Sequence, residues 1–185
     1  MDPEESRTAM VLGLPAGEVR LFDAHEAWAN EFEIEKTRII NALGEHILEI
    51  QHVGSTAIPG VPAKPVLDIL VGVEDFDQAS ACVAPLESIG YCYRNEYGIP
   101  RRHYFVKGDP RTHHLHMVER GSNHWTMTIS FRDFLNRDAG SARVYAEAKR
   151  SLAAKYLRDR EAYQREKDKV VERLLALAAE SRRGA

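Results

Sequence analysis

The chain has 185 residues, a formal net charge of −3, 44% apolar residues and 29% charged residues. This length suits one domain, or one domain with a helical extension, and buries a core without disulfides or structural metal. The slight acidity argues against a nucleic-acid coat, which needs a basic surplus, but a pocket for a small phosphorylated ligand needs only a few local cations.

Residues 1–18 read as a loose tail, followed by a single domain over 19–185. No basic start precedes an apolar run, so no signal peptide is expected, and no stretch of about 18 apolar residues points to a membrane. Asp23 and Glu26 form a capping box for a helix with Trp28, Phe32, Ile39, Ile40 and Leu43 on its apolar face and Gly44 as its stop. HILEIQHV (46–53) reads as a strand. GSTAIPGVPAKP follows, too rich in Gly and Pro for a helix or central strand, and therefore a shaped loop. VLDILVGV (66–73) is a strand covered on both faces, with Asp68 as its one charge. A helix is expected from about Asp77 to Ile89, with Cys82 on its face. YCYR, RHYFVK and HHLHMVER read as strands, separated by the NEYGIPR loop and the GDPR turn. Three helices close the chain, at about 124–137, 141–157 and 160–180. The order is that of an α+β (mixed α/β) protein with an N-terminal helix, a mixed sheet of four or five strands and a C-terminal helical third over about 124–180. Cys82 and Cys92 read as two buried, reduced thiols, and a cytoplasmic setting is expected.

The chemistry concentrates in a strand, a Gly-Ser turn, a Pro-rich loop, Lys-Pro and a strand bearing Asp. Gly54 and Ser55 after a strand let backbone N–H groups and a hydroxyl approach an anion. Lys64 supplies a point charge, and Asp68 can hold a divalent metal that bridges phosphates. The competing reading is a tight turn beside an acid tied to an internal cation. GxxxxGK[ST] is absent, so the loop is not a Walker A motif. His114 and His116 share one face of their strand. With Asp68 they would suit a transition metal or Zn²⁺ better than Mg²⁺; without metal they would line a polar cleft. Arg102 and Tyr104 also share a strand face, as a phosphate-and-base reader. Arg101, Lys107 and Arg111 read as a solvated hairpin. Glu96 and Tyr97 lie in a loop that could act as a lid. Tyr163 and Lys167, four apart on one helix, point the same way. Trp28, Phe32, Trp125, Phe131 and Phe134 read as packing.

The segments QHVGSTAIPGVPAKPVLDILVGV, NEYGIPRRHYFVKGDPRTHHLHMVERGSNHW, FRDFL and REAYQREK resemble the GrpB family from about Leu21 to Leu177. That resemblance implies a nucleotidyltransferase-like fold. The wider signature is a strand ending in Gly-Ser and then a strand with two acids two apart, which hold Mg²⁺ against a triphosphate. Asp68 fills the first place, but Leu70 fills the second and cannot ligate metal. GrpB-like domains also occur fused to dephospho-CoA kinase, where they resemble an accessory or partner domain.

The first expectation is therefore a nucleotidyltransferase-like protein moving a nucleoside monophosphate from a triphosphate to an unknown acceptor. Its catalytic residues would be Asp68 and His116. Gly54, Ser55, Lys64, Arg102, Tyr104, Tyr163 and Lys167 would bind nucleotide or phosphate. Asp68, His116 and His114 would hold a divalent metal, Mg²⁺ or Mn²⁺, with Zn²⁺ as the alternative. The second is a non-catalytic accessory domain that binds a nucleotide, a phosphate or CoA in a degenerate site. The third is metal-assisted hydrolysis through histidines.

Overall fold

The computed structural model describes residues 12–15 and 18–183, the side chains of 180–183 excepted. Its elements run α1 (Ala27–Leu43), β1 (Glu49–Val53), β2 (Leu67–Val73), α2 (Val83–Ser88), β3 (Tyr91–Tyr93), β4 (His103–Lys107), β5 (His113–Glu119), α3 (Asn123–Arg137), α4 (Ala139–Lys155) and α5 (Arg160–Arg183). The fold is mixed α+β, as its sequence order implies.

The five strands form one sheet in the order β1-β2-β5-β4-β3. β2 and β5 run parallel at its centre, and the other neighbours are antiparallel. The side-chain alternation of a strand then divides the molecule into two faces. Leu67, Ile69, Val71 and Val73 of β2 point to the rear, where they pack with Leu115 and Met117 of β5 against α1 and α2. Asp68, Leu70 and Gly72 point to the front. Leu70 is sealed there among Val53, Val118 and Trp125. Gly72 has to be a glycine: a Cβ would sit 2.8 Å from the Trp125 ring.

The C-terminal helices cover the rest of the front. Ile58 and Val61 of the Pro-rich loop insert into their apolar core with Leu135, Tyr145, Ala146 and Leu174. The loop is thus fixed by burial of its few apolar residues, and it links sheet to helices.

Several local features differ from the sequence reading. The Asp23–Glu26 capping box does not form. A backbone bridge between Phe22 and Ala63 holds the chain extended, and α1 starts at Ala27. His25 Nδ1 accepts the Ala27 N–H, while Asp23 pairs with Arg150 of α4 at 2.9 Å. Residues 78–82 form a 3₁₀ turn ahead of a short α2, because Pro85 lacks the N–H that a continuous helix would need there. Cys82 is buried, but Cys92 is exposed on edge strand β3. Within the stretch read as a tail, the Gly13 N–H donates to the Pro65 carbonyl, and buried Leu14 bridges to Arg111. Residues 1–11 lie outside the described residues. Lys107 is not a solvated hairpin residue: it forms a 2.7 Å ion pair with Glu35 of α1. His113 is likewise buried.

Candidate functional site

A cavity of about 1160 Å³ lies between the front of the sheet, the Pro-rich loop, the 96–101 loop and helices α4 and α5. Asp68, Ser55, Lys64, His114, His116, Arg102, Tyr104, Tyr163 and Lys167 all line it. The acid of β2 therefore opens onto the same hollow as the serine bend and the histidine strand. Gly54 is not on its wall. It has φ 71°, and a Cβ there would run into the Asp68 carboxylate. Glycine is needed at this position to let the backbone turn against Asp68.

The parallel register sets Asp68 opposite His114 and Leu70 opposite His116. Asp68 remains 32% exposed. Burial pushes its pKa up, but the His114 Nδ1 hydrogen bond at 3.0 Å and the nearby His116 ring more than offset this. The carboxyl is held well below the usual carboxylate range, so Asp68 is a standing anion and not a proton carrier. The Arg102 guanidinium, which can only donate, lies 3.2 Å from His116 Nδ1. His116 is therefore the neutral tautomer with its proton on Nε2, 3.7 Å from Asp68 Oδ1. Burial, the largest influence, pushes the pKa of His116 down in agreement.

These bonds bear on metal binding. His114 uses Nδ1 on Asp68, and its Nε2 is buried with no partner among the described residues. The free nitrogen thus lies on the far side of the ring from Asp68. His116 Nδ1 is taken by Arg102. One nitrogen of each histidine, His114 Nδ1 at 3.0 Å and His116 Nε2 at 3.7 Å, faces Asp68 Oδ1, and among the described residues no group of three or more His, Cys, Asp and Glu side chains is arranged to hold a metal. Leu70, fully buried, leaves no room for a second acid on β2.

Arg102 is engaged with the loop above it. Its Nη2 donates to the carbonyls of Glu96 and Tyr97 at 3.1 and 3.0 Å, and its guanidinium stacks 4.7 Å over the Tyr104 ring. Asn95, Tyr97 and Arg101 all have positive φ. Such conformations persist only when their surroundings hold them, as Arg102 and the Glu96 carboxylate do here. Tyr97, 69% exposed, stacks on Tyr104 with ring centres 5.1 Å apart.

The opposite wall is cationic. Burial and the nearby Arg160 and Lys167 lower the Lys64 pKa to about 8, with Asp68 pulling the other way. Its Nζ lies 5.5 Å over the Tyr163 ring. Lys149 of α4 is 3% exposed and donates from Nζ to the Pro62 carbonyl. Burial, and repulsion from Lys167 and Lys64, push its pKa well below the usual lysine value. Ser55 Oγ lies 3.3 Å from the Tyr145 hydroxyl. The sequence reading missed Lys149, Arg160 and Arg111 as lining of this cavity. One signal was available: Tyr145, Ala146, Lys149 and Ala153 share a helix face that is otherwise apolar or small.

The model of the family described as GrpB protein matches residues 18–177. A UPF0157 protein of Pseudomonas aeruginosa is 43% identical over 168 residues, covering 87% of this chain and 69% of that protein. The glutamate-rich protein GrpB of Alkalihalophilus pseudofirmus is 37% identical, over 89% of this chain and 98% of its own. A shorter match, 40% identical over 76 residues, reaches 40% of this chain and 19% of a dephospho-CoA kinase of Mycolicibacterium paratuberculosis. Among solved structures, conserved protein GrpB from Enterococcus faecalis superposes with a TM-score of 0.82 at 30% identity, covering 88% of this chain and 98% of that one. Cid1 in complex with its short product ApU superposes with a TM-score of 0.51 at 12% identity, over 71% of this chain and 42% of that one, a likeness of fold. With matches of this breadth, the chain belongs to the GrpB protein family.

Proposed function

We propose that the cavity binds a small phosphorylated ligand, a nucleotide or CoA, in a site that has lost the paired acids of nucleotidyl transfer. One observation carries this reading: Lys64, Lys149 and Lys167 line a single cavity, and among the described residues none makes a salt bridge. Lys149 is buried, while Lys64 and Lys167 are partly buried; a cation withdrawn from water without a carboxylate partner is costly unless a ligand supplies the anion. Exposed Tyr97, backed by Tyr104, offers a ring surface for a base at the other end. The two free thiols support a cytoplasmic setting, and among the described residues no helix is long and apolar enough to cross a membrane.

The test is a thermal-shift series with ATP, GTP, CTP, UTP and CoA, with and without Mg²⁺, Mn²⁺ or Zn²⁺. Stabilisation by a nucleotide or CoA without metal is the expected result. No shift with any of them would reject the proposal.

A second reading, metal-assisted transfer of a nucleoside monophosphate, is favoured by one feature: Asp68 is ionised and open to the cavity. Pyrophosphate release that requires a divalent ion and is lost in Asp68→Asn would support it. Absence of release with all four triphosphates would leave the binding reading alone.

A further inference from the structure

Lys149 comes from α4, Lys64 from the Pro-rich loop, and Arg160 and Lys167 from α5. On α5, Arg160, Tyr163 and Lys167 are spaced i, i+3, i+7 and share one face. All of these side chains line the cavity. The cations are close enough to act on one another: Lys64 is opposed by Arg160 and Lys167, and Lys149 by Lys167 and Lys64. Their floor is Tyr163, buried under Lys64, and Tyr145, whose ring lies 5.3 Å from Lys149 Nζ. From the sheet they face Asp68, which is hydrogen-bonded to His114; Glu18, Glu161, Asp168 and Glu172 also line the cavity, where lysine and arginine side chains outnumber the acids.

A wall of this kind differs from a site for a single phosphate. One phosphate group brings a charge of about −2 at most, against four cations drawn from three separate elements. A chain of phosphates brings more charge and can meet cations on the loop and on both helices. Ammonium and guanidinium groups then supply the neutralisation for which a divalent ion is otherwise used.

We propose that Lys64, Lys149, Arg160 and Lys167 form a polyphosphate subsite that holds a triphosphate chain directly, without a divalent cation. The subsite deepens the reading of the cavity as a phosphate-ligand site and rests on it. Lys149 is its deep anchor, fixed by the Pro62 carbonyl. Lys167 and Arg160 meet the chain from α5. Because the contacts are ionic, affinity falls with added salt.

The experiment is calorimetric titration with sodium phosphate, pyrophosphate and tripolyphosphate, each with and without Mg²⁺, alongside ATP. Affinity is expected to rise with phosphate chain length, with tripolyphosphate at least about tenfold tighter than phosphate. Mg²⁺ is expected to be dispensable. Lys149→Met and Lys167→Gln should each weaken tripolyphosphate on the order of tenfold, while Arg94→Gln, outside the cavity, should not. Lys167 lies on a helix surface, so Lys167→Gln keeps the test decisive where Lys149→Met fails to fold. Tripolyphosphate binding that requires Mg²⁺, or that is unchanged in Lys167→Gln, overturns the subsite. If ATP binds but tripolyphosphate does not, the subsite falls while the phosphate-ligand reading stands. If neither binds, that reading falls and takes the subsite with it.

Discussion

Glu35, behind the sheet, and Lys149, in front of it, are each almost withdrawn from water, at 1% and 3% exposed. Glu35 meets Lys107 at 2.7 Å and Arg38 at 3.2 Å. Burial would raise its pKa, but the Lys107 hydrogen bond, His113 and the Lys107 charge outweigh it, and Glu35 stays ionised. Lys149 meets a neutral carbonyl and two further lysines, and its pKa is driven down. The rear charges answer one another and belong to the fold. The front lysines repel one another, and among the described residues no carboxylate forms a salt bridge with Lys64, Lys149 or Lys167, although Asp68 acts on Lys64 and Lys149 from a distance. The comparison teaches how to separate structural charge from ligand-seeking charge: by what each group is paired with, and not by how deeply it is buried.

The largest way to break the comparison is to build the missing acid into the front face. Leu70→Asp should destabilise the protein by about 5 kcal/mol, because it removes a core side chain and buries a carboxylate under Trp125. Urea unfolding measures this; a stable variant with new Mg²⁺-dependent nucleotide binding would show that the second acid is absent for reasons other than packing. Behind the sheet, Lys107→Met leaves the buried Glu35 charge with Arg38 as its remaining ion-pair partner and should cost about 3 kcal/mol by the same measurement. Gly54→Ala should cost about 2 kcal/mol, from its left-handed backbone and the clash with Asp68.

Lys64→Met sharpens the contrast from the other side. It removes a repelled ammonium, so the ligand-free protein should be unchanged or more stable, by about 1 kcal/mol at most, while its phosphate response falls. A loss as large as that of Lys107→Met would make Lys64 structural.

Acid should act gradually. Burial, only partly offset by nearby acids, holds His52 and His113 at a pKa of about 4, and burial with the neighbouring His116 and Arg102 holds His124 at about 4. The unfolded chain protonates these rings near 6.5, so unfolding takes up protons between about pH 6.5 and 4. Stability should therefore fall across that window, by roughly a few kcal/mol. Asp68, with its depressed pKa, adds its own loss only below the unfolded value near 4. A flat pH profile from 7 to 4 would contradict the buried, neutral state of these histidines.

The sheet was legible because its strands alternate or are wholly apolar, and Asp68 stood out as the one charge in an apolar run. The shared face of His114 and His116 followed from a period of two. The cationic wall was harder to read. Lys149 reaches the cavity only because Ile58 and Val61 dock the Pro-rich loop against α4, a contact between distant segments that no local pattern records. Arg102 was read as a phosphate reader from its alternation with Tyr104, yet its bonds to the 96 and 97 carbonyls depend on left-handed turns at non-glycine residues. Asp23 was read as a cap from its spacing, but a bridge between Phe22 and Ala63 held the chain extended there.

The most direct test of the central claim is a crystal structure of the protein soaked with a non-hydrolysable ATP analogue. The account predicts phosphate oxygens within hydrogen-bonding reach of Lys64, Lys149 and Lys167, on the helical side of the cavity across from Asp68. Phosphates bound elsewhere, or a cavity left empty at saturating analogue, would contradict it.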